Sequence, residues 1–202
     1  MIAIIDYGMG NLRSVEKALE VSGAKDVFVT SKLKDIKKAD KIVMPGVGAM
    51  KEAMQALRKL RLIEPLKVII TQKPYLGICL GLQLLFEKSE EGRSTKGLGI
   101  FKGRVVKFPD KVKVPHMGWN ELRVKGEGLR GKLLKNIPDN SYFYFCHSYY
   151  VEPEDKSIIL AQTGYGFDFT SAICKDNIFA VQFHPEKSQR LGLKLLENFV
   201  KI

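Results

Sequence analysis

The sequence predicts an α/β fold, in which helices cover both faces of a mostly parallel central sheet and a smaller antiparallel β layer occupies the C-terminal half. Three observations predict it. Apolar strand-like and amphipathic helix-like segments alternate over the first 86 residues, an order that gives a parallel sheet covered on both faces. Glycine-rich segments follow several of these strands, at the sheet edge where such folds bind ligands. Residues 99–183 are mostly short strand-like segments.

The first half is interpreted as strands followed by helices. Each predicted strand is a short apolar run, and the longer predicted helices repeat apolar residues every three or four positions. The strands span residues 1–6, 26–30, 41–44 and 75–78, and the helices span residues 11–22, 31–39, 50–60, 62–72 and 80–86. Pro65 is expected to cut the helix at 62–72. The glycine turn at 7–10 has no third glycine in register, so we interpret it as a tight turn and not a phosphate site.

The second half begins with a polar, glycine-containing loop at residues 88–97. The strands predicted after it span residues 100–108, 111–114, 120–124, 141–151, 157–163, 168–174 and 178–183. A short helix is predicted around Leu133, and Ser188 is expected to cap a last helix from Gln189 to Val200. Because no linker or repeat interrupts the chain, residues 1–202 are predicted to form a single domain.

Charge and composition disfavour several classes of function. The net charge is +11, from 33 basic and 22 acidic residues, but the lysines are scattered and form no arginine-rich helix, so nucleic-acid binding is not expected. No apolar run approaches the roughly 18 residues of a membrane span, and the N-terminus does not resemble a signal peptide. We therefore expect a cytoplasmic protein that does not bind membranes.

The three cysteines are widely spaced, which predicts neither a disulfide framework nor a zinc site. Cys146 and Cys174 are interpreted as core thiols. No close group of His, Cys or carboxylate residues is typical of a metal site. The sequence therefore predicts neither a metal ion nor a cofactor.

The segment Gly77-Ile78-Cys79-Leu80-Gly81 joins a short apolar strand to a short apolar helix. A nucleophile at such a joint, flanked by glycines, is typical of a nucleophile elbow, whose sharp turn lifts the side chain out of the sheet. The N–H groups and dipole of the following helix favour a thiolate and can hold an oxyanion. A lone G-x-C-x-G is equally compatible with a buried structural cysteine, so a second signal has to decide.

The second signal is His184-Pro185-Glu186, which follows the apolar strand predicted at 178–183. Pro185 ends the strand, and a bend can turn Glu186 back onto the imidazole. A cysteine that hydrolyses an amide needs a base that takes and returns a proton, and an acid that orients the base. Cys79, His184 and Glu186 are therefore the predicted catalytic residues. His116 and His147 are competing bases, but neither has an acidic residue beside it.

The oxyanion of the reaction needs main-chain donors. The N–H of Leu80 and an N–H from the loop Gly46-Val47-Gly48 are predicted to supply them, because that loop ends a strand at the same sheet edge as Cys79. Glycine on both sides of Val47 permits a peptide flip.

With these residues the chain resembles the class I glutamine amidotransferases, which use a Cys-His-Glu triad, and among them the glutaminase subunits of imidazole glycerol phosphate synthase. The resemblance extends from end to end. The segments that carry it are Ile5–Asn11, Pro45–Gly48, Gly77–Phe86, Pro115–Asn120, His147–Tyr150 and His184–Ser188. One departure is Leu82, where the family more often has Met or His, and this change is conservative in volume.

The resemblance implies a flavodoxin-like class I glutamine amidotransferase fold and the hydrolysis of L-glutamine to glutamate and ammonia. It further implies a heterodimer with a (β/α)₈ cyclase subunit, which uses the channelled ammonia to make imidazole glycerol phosphate and an aminoimidazole carboxamide ribotide in histidine biosynthesis. Residues implied to hold glutamine are Gln83, the backbone near Ser148 and Tyr149, and the loop at 45–48. Residues implied to face the cyclase are Asn11, Tyr144 and Lys187.

Three alternatives remain open on the sequence. A glutaminase of the same superfamily could feed a different synthase with identical chemistry. A cysteine hydrolase or peptidase could use the same elbow, although such enzymes usually lack Gln83 and the loop at 45–48. A non-enzymatic basic binding module has only the net charge in its favour.

Overall fold

The computed structural model describes residues 1–92, 94–125 and 132–202. Within these ranges the strands are β1 Ile2–Ile5, β2 Val27–Thr30, β3 Lys41–Gly46, β4 Tyr75–Cys79, β5 Phe86–Ser89, β6 Thr95–Lys96, β7 Phe101–Lys107, β8 His116–Val124, β9 Ser141–His147, β10 Tyr149–Pro153, β11 Ile159–Gly164, β12 Asp168–Lys175 and β13 Ile178–Val181. The α-helices are α1 Leu12–Val21, α2 Leu33–Lys38, α3 Met50–Lys59, α4 Ile63–Gln72, α5 Leu80–Gln83 and α6 Gln189–Lys201. Short 3₁₀ turns lie at Lys156–Ile158 and Pro185–Lys187.

The parallel part of the sheet has the strand order β2-β1-β3-β4-β13. Four of these strands come from the first half of the chain, while β13 comes from the last quarter and lies directly beside β4. Because both strands run the same way, their carboxyl ends meet at one edge. This pairing brings the segment after β13 next to the segment after β4.

Helices cover both faces of the parallel strands. Successive residues of β1 point to opposite faces, as expected for a strand: Ile2 and Ile4 join a core with α1 and α6, whereas Ala3 and Ile5 join a core with α2, α3 and α4. Every residue of β1 is buried, which is typical of a strand covered on both sides. The predicted α/β class is confirmed.

Antiparallel strands continue the sheet beyond β13. The order is β13-β12-β10-β7, followed by β5, which runs parallel to β7, and β6. A branch leaves this path at β12, where β11 pairs with β12 and β8, and β8 pairs with β9. The predicted antiparallel strands of the C-terminal half are therefore present.

Several element boundaries differ from the sequence predictions. The loop predicted at 88–97 contains the end of β5 and all of β6, which form an antiparallel pair. The strand predicted at 111–114 is a turn, and the strand predicted at 141–151 is broken at Ser148 into β9 and β10. The strand predicted from residue 120 begins at His116. Polar stretches and single bends carry little periodic signal, so pairing with neighbouring strands decides them.

The helix predictions need three corrections. Pro65 lies in the first turn of α4 and does not cut the helix. Backbone N–H groups in the first turn have no acceptor within the helix, so the missing N–H of proline removes no helical hydrogen bond. The helix predicted at 80–86 is the single turn α5. Ser188 precedes α6, but its hydroxyl bonds to the His184 carbonyl at 2.6 Å and the Tyr144 N–H at 3.0 Å instead of capping the helix.

The helix predicted around Leu133 falls partly on residues 126–131, which lie outside the described residues. Residues 132–136 form turns. Of the helices in the described ranges, none combines the length and the apolar character that crossing a bilayer requires.

Candidate active site

Cys79 is the last residue of β4 and has a left-handed backbone, with φ +52°. A residue with a side chain adopts this conformation at a cost, so surrounding structure has to enforce it. The two flanking glycines allow the close packing that does so. A Cβ on Gly81 would lie 1.8 Å from the Met44 carbonyl oxygen, and a Cβ on Gly77 would lie 2.6 Å from the Gly81 carbonyl oxygen. The local geometry is that of an elbow, although α5 is one turn long and its dipole is weaker than predicted.

His184 and Glu186 lie in the segment that follows β13, beside the elbow. His184 Nδ1 and Glu186 Oε1 are 2.8 Å apart, and both side chains are buried. The 3₁₀ turn at Pro185–Lys187 folds the carboxylate back onto the ring. Since Glu186 occupies Nδ1, the Nε2 atom of His184 is left for Cys79. The other carboxylate oxygen, Glu186 Oε2, is buried with no hydrogen-bond partner in the described part of the chain.

The charge of His184 is set by competing effects. Burial by itself would lower the pKa, but hydrogen bonds and charge interactions with Cys79 and Glu186 outweigh it and raise the pKa of His184 to about 10. The raised pKa favours a protonated imidazole near pH 7, and a protonated imidazole beside a cysteine is typical of activated cysteine nucleophiles.

The loop after β3 lies beside the elbow. Gly46 is the register partner of Cys79 in the β3–β4 pair. Tyr7, from the glycine turn at residues 7–10, donates a hydrogen bond from its buried hydroxyl to the Pro45 carbonyl at 2.8 Å, and burial raises the pKa of this hydroxyl far above its usual value. The turn therefore supports the loop that the sequence assigned to the oxyanion, which agrees with its interpretation as a tight turn.

A cleft of about 430 Å³ opens over the elbow. Its walls include most residues predicted to act in catalysis and substrate binding, namely Cys79, His184, Val47, Gly48, Leu80, Gln83, Ser148 and Tyr149. Two of the predicted residues, Gly46 and Glu186, do not line the cleft themselves. Gly46 pairs with Cys79 within the sheet, and Glu186 reaches the cleft only through His184.

Four further residues at the site were not predicted from sequence. Glu91, Cys146 and His147 line the cleft, and Gln182 lies 3.5 Å from the Cys79 sulfur. Cys146, interpreted from sequence as a core thiol, is only half-buried. Glu91 accepts a hydrogen bond from the Met50 N–H at 2.6 Å, and burial raises the pKa of its carboxyl group. Glu91 and Cys146 stand in no recognisable motif, whereas His147 begins the segment His147–Tyr150 that carries the family resemblance, and Gln182 lies two residues before His184.

The two histidines considered as competing bases form a hydrogen-bond chain. His147 Nδ1 lies 2.8 Å from the Tyr149 carbonyl oxygen, His116 Nδ1 lies 3.0 Å from His147 Nε2, and the Asn120 amide nitrogen lies 3.1 Å from His116 Nε2. A carbonyl oxygen only accepts, so His147 donates from Nδ1 and each link runs in one direction. Burial lowers the pKa of His116 to about 4 and that of His147 to about 3. Both rings are neutral near pH 7 and support the Tyr149 backbone.

Asn11, Tyr144 and Lys187 are the residues that the resemblance assigned to a partner interface. Lys187 lines the cleft, and its ammonium group lies 5.8 Å from the centre of the Tyr144 ring. Asn11 is exposed and caps α1, accepting a hydrogen bond from the Ser14 N–H at 3.3 Å. Helix α1 packs against the 3₁₀ turn that carries Lys187.

Within residues 1–92, 94–125 and 132–202, no group of three or more His, Cys, Asp or Glu side chains is placed to hold a metal ion.

Comparison with known proteins gives strong matches over the whole chain. Residues 3–202 match the family model described as glutamine amidotransferase class-I. A protein of Aquifex aeolicus named imidazole glycerol phosphate synthase subunit HisH is 53% identical over 197 residues, which cover 97% of this chain and 94% of that protein. The protein of the same name from Methanocaldococcus jannaschii is 50% identical over 203 residues, with complete coverage of both chains.

Solved structures show the same fold at low sequence identity. A crystal structure described as a glutamine amidotransferase matches with a TM-score of 0.74 at 15% identity, covering all of both chains. A chain in the structure of PurLQS from Thermotoga maritima matches with a TM-score of 0.72 at 17% identity, covering 99% of this chain and 97% of that one. Together with the family model and the identities near 50%, these matches show that the chain belongs to the class I glutamine amidotransferase family of enzymes.

Proposed function

We propose that this chain hydrolyses L-glutamine to glutamate and ammonia, with Cys79 as the nucleophile, His184 as the acid and base, and Glu186 as the group that orients His184. One observation carries the proposal. A cysteine on a strained elbow faces a cleft beside a buried histidine, and that histidine is hydrogen-bonded to a buried carboxylate at 2.8 Å.

The reaction follows from the charges of these groups. The Cys79 thiolate attacks the side-chain carbonyl carbon of glutamine, and the carbonyl oxygen becomes an oxyanion. The His184 imidazolium gives its proton to the leaving nitrogen, so that ammonia departs and a thioester remains. Neutral His184 then takes a proton from water, and the hydroxide attacks the thioester. Collapse of this second intermediate releases glutamate and restores the thiolate with the protonated histidine.

The oxyanion formed in this step needs main-chain N–H donors beside Cys79. The N–H of Leu80 follows the nucleophile directly, and Val47 and Gly48 line the same cleft. Removing one such donor typically raises a barrier of this kind by about 3–4 kcal/mol. We assign the oxyanion to the Leu80 N–H and to an N–H from the loop at 46–48.

The amino-acid end of glutamine carries an ammonium and a carboxylate group. The Glu91 carboxylate is the acidic group in the cleft wall and would attract the ammonium. Gln83 uses its amide nitrogen in bonds to the Tyr149 carbonyl at 3.0 Å and to Gln182 at 3.3 Å, so its carbonyl oxygen is left to accept from substrate. We assign the substrate carboxylate to backbone N–H groups at Ser148 and Tyr149, where the strand bends.

We further propose that the chain is the glutaminase subunit of an imidazole glycerol phosphate synthase and acts in histidine biosynthesis. The relatives named as subunits of that synthase are about 50% identical over nearly the whole chain. The proposed partner is a (β/α)₈ cyclase subunit in a heterodimer, which receives the ammonia in a sheltered path and makes imidazole glycerol phosphate and an aminoimidazole carboxamide ribotide. Shelter matters because protonated ammonia is not a nucleophile. We expect this assembly in the cytoplasm.

An exposed face of the β8–β9 pair supports a partner surface. Met117, Trp119 and Tyr142 are exposed by 46 to 61%, and with Tyr144 they point to one side of the pair, as alternate residues of paired strands do. We call these four residues the β8–β9 face. Clustered exposed apolar side chains of this size mark interaction sites. Cys146 belongs to the same side and lines the cleft, so the face leads from the active site to solvent.

The direct experiment measures glutamate and ammonia released from L-glutamine by the purified chain mixed with the candidate cyclase. Cys79→Ala is expected to abolish release, while Cys174→Ala, at a thiol away from the cleft, is expected to retain it. Release by the Cys79→Ala protein at the wild-type rate would refute the proposal.

Two alternatives are separated by simple measurements. Co-purification with a barrel subunit distinguishes this synthase from another that uses the same glutaminase chemistry. A glutamine-analogue electrophile that labels Cys79, together with no cleavage of peptides, excludes a peptidase.

A further inference from the structure

Gln182 is a fully buried polar residue directly beside the nucleophile. It follows β13, two residues before His184, and its side chain lies between Cys79 and Gln83. Its amide nitrogen is 3.5 Å from the Cys79 sulfur, and its carbonyl oxygen is 3.3 Å from the Gln83 amide nitrogen. A nitrogen at this distance from sulfur, with the sulfur as the acceptor, is within range of a hydrogen bond.

The orientation of the Gln182 amide is fixed by its neighbours. The Tyr149 carbonyl oxygen only accepts hydrogen bonds, so the Gln83 atom that lies 3.0 Å from it has to be the amide nitrogen. That nitrogen is also the atom facing Gln182, which therefore presents its carbonyl oxygen to Gln83. The Gln182 amide nitrogen is consequently turned toward the sulfur.

Two donors meet at the Tyr149 carbonyl. One is the Gln83 amide and the other is His147 Nδ1, and His116 and Asn120 hold His147 in the tautomer that can donate. Every link from Asn120 to Tyr149, and from Gln83 to Gln182, has a direction that follows from the chemistry of its groups. A rotated Gln182 would face its carbonyl oxygen toward an anionic sulfur and its amide toward the Gln83 amide.

We propose that Gln182 is a further catalytic residue, which donates a hydrogen bond to the thiolate of Cys79 and is held in that orientation by Gln83. This inference rests on the proposed function, because it assigns a role at the same nucleophile. A neutral donor stabilises the thiolate without competing with it for the proton on His184. Since Gln182 is buried, the bond is not exchanged with water and retains its strength.

A purely structural role for Gln182 makes a different prediction. If the side chain only filled the space between β13 and α5, its replacement would change the stability of the fold but not the thiolate population of Cys79. The test therefore has to measure the thiolate itself, without glutamine and without turnover.

The experiment uses the full chain and follows iodoacetamide alkylation of Cys79 between pH 5 and pH 10, with mass spectrometry to separate this site from Cys146 and Cys174. The variant Gln182→Met keeps the length of the side chain and removes the donor. The matched control is Ser171→Ala, because Ser171 is buried in β12 and its carbonyl accepts the Gln182 backbone N–H at 2.8 Å. Circular dichroism and thermal unfolding establish that each variant is folded.

We expect alkylation of Cys79 at pH 7 to slow about tenfold in Gln182→Met, since hydrogen bonds to charged groups are among the stronger ones. The pH of half-maximal alkylation should rise correspondingly, while Ser171→Ala should match the wild type. If Gln182→Met does not fold, Gln182→Glu keeps the shape and replaces the donor by an acceptor, and it should slow alkylation at least as much.

A folded Gln182→Met or Gln182→Glu protein with the wild-type alkylation profile would overturn this inference. That outcome is distinct from failure of the proposed function. The proposed function would fail if glutamine hydrolysis survived in the Cys79→Ala protein. That result does not depend on the outcome of the alkylation experiment.

Discussion

His184 shows how the site is built at the scale of single residues. Burial opposes a charge on its ring, yet the anionic groups on both sides raise its pKa to about 10. Contacts with Cys79 and Glu186 therefore favour the protonated imidazole near pH 7, and Glu186 makes its contact at Nδ1.

Replacing Glu186 by Gln is the first test at this scale. Glu186→Gln keeps the shape but removes the negative charge, so the pKa of His184 falls toward its ordinary value. We expect kcat/KM for glutamine hydrolysis to drop by about 10³-fold or more, as in other triads whose acid is made neutral. The alkaline limb of the pH profile should move to lower pH, because the imidazolium is lost earlier.

Steady-state kinetics between pH 6 and pH 10 would measure both effects. Glu64→Gln is the control, since Glu64 forms an exposed pair with Lys67 on α4. Activity of the Glu186→Gln protein within threefold of the wild type would contradict the role given to Glu186.

The residues proposed for catalysis were predictable from the sequence where they lie close together in the chain or in a recognisable turn. His184 and Glu186 are two residues apart, and the elbow around Cys79 has a glycine pattern that sterics demand. Glu91 and Gln182 were missed, and His147 was considered only as a competing base, because the pairing of distant strands and turns brings these residues to the site. Their positions depend on register, for which a single sequence contains no direct signal.

At the scale of elements, the elbow between β4 and α5 depends on close backbone packing. Gly81→Ala would place a Cβ 1.8 Å from the Met44 carbonyl oxygen, a backbone atom that cannot rotate away. We expect this variant to lose about 3 kcal/mol or more of unfolding free energy, at the upper end of overpacking effects, and to lose glutaminase activity with it.

Urea unfolding followed by circular dichroism measures the change. The control is Gly164→Ala, where the added Cβ would lie 3.2 Å from the end of the flexible Arg123 side chain. If the Gly81→Ala protein were as stable as the Gly164→Ala protein, the elbow could accept the added Cβ by moving β3 away from α5. That result would contradict the claim that the elbow depends on close backbone packing.

The bend at Ser148, between β9 and β10, is a second element that matters for function. His147 holds the Tyr149 carbonyl at 2.8 Å, and Ser148 and Tyr149 line the cleft. We expect His147→Leu to raise KM for glutamine about fivefold, the effect of one lost hydrogen bond, with a smaller change in kcat. His147→Asn can still donate to the carbonyl and should lie closer to the wild type.

Steady-state kinetics of the two variants test whether His147 supports substrate binding. Rates are compared per folded molecule, so that a difference in stability does not appear as a difference in activity. Equal KM values for Leu and Asn at position 147 would mean that the histidine only fills space. A kcat loss without a KM change in either variant would equally contradict a role in substrate binding.

Helices and strands with strong hydrophobic periodicity were predictable from the sequence. Strands that form only because they pair with other strands were not. The strands β1 to β4 and the helices α1 and α6 lie within two or three residues of their predicted bounds. The segment at 88–97 was predicted as a loop because it is polar, yet β5 and β6 form there by pairing with each other and with β7. The single predicted strand at 141–151 bends at Ser148, because β9 pairs with β8 whereas β10 pairs with β7 and β12.

At the scale of the whole molecule, the buried histidines make stability depend on pH. The unfolded chain binds protons at histidine with a pKa near 6.5, whereas burial lowers the pKa to about 4 at His116 and to about 3 at His147. Their contribution is complete above pH 6.5 and is lost as the pH falls toward the folded values. His184 behaves in the opposite way: its raised pKa stabilises the fold below pH 6.5, and this contribution is lost as the pH rises toward 10.

We therefore expect unfolding free energy to fall between pH 7 and pH 5, with a slope of up to about 1.4 kcal/mol per pH unit for each neutral buried histidine. Urea titrations at several pH values measure it. The double variant His116→Gln/His147→Asn should show a shallower slope in this window, which lies above the ordinary pKa of exposed carboxylates. An unchanged slope would place the acid sensitivity elsewhere in the molecule.

The largest-scale prediction concerns control of the site by a partner. Val47 is 43% exposed although it lines the cleft, and Gly48 has φ +92°, a conformation that only glycine adopts readily. The loop can therefore change its peptide orientation at low cost, and contacts made by a partner at the β8–β9 face would bias it. We expect glutamine turnover by the isolated chain to rise at least about tenfold when the cyclase and its ligand are added, because one oxyanion donor is worth that much or more.

Two variants separate docking from gating. Trp119→Ala, on the β8–β9 face, should raise the cyclase concentration needed for half-maximal stimulation, whereas Val68→Ser, an exposed apolar residue of α4, should not. Gly48→Ala should reduce the stimulated rate while leaving association intact, because a side chain is strained at that φ and its Cβ would lie 2.8 Å from the end of Met9. Equal turnover with and without the cyclase would rule out the gate, and it would mean that the loop at 46–48 already holds its oxyanion donor in the free chain.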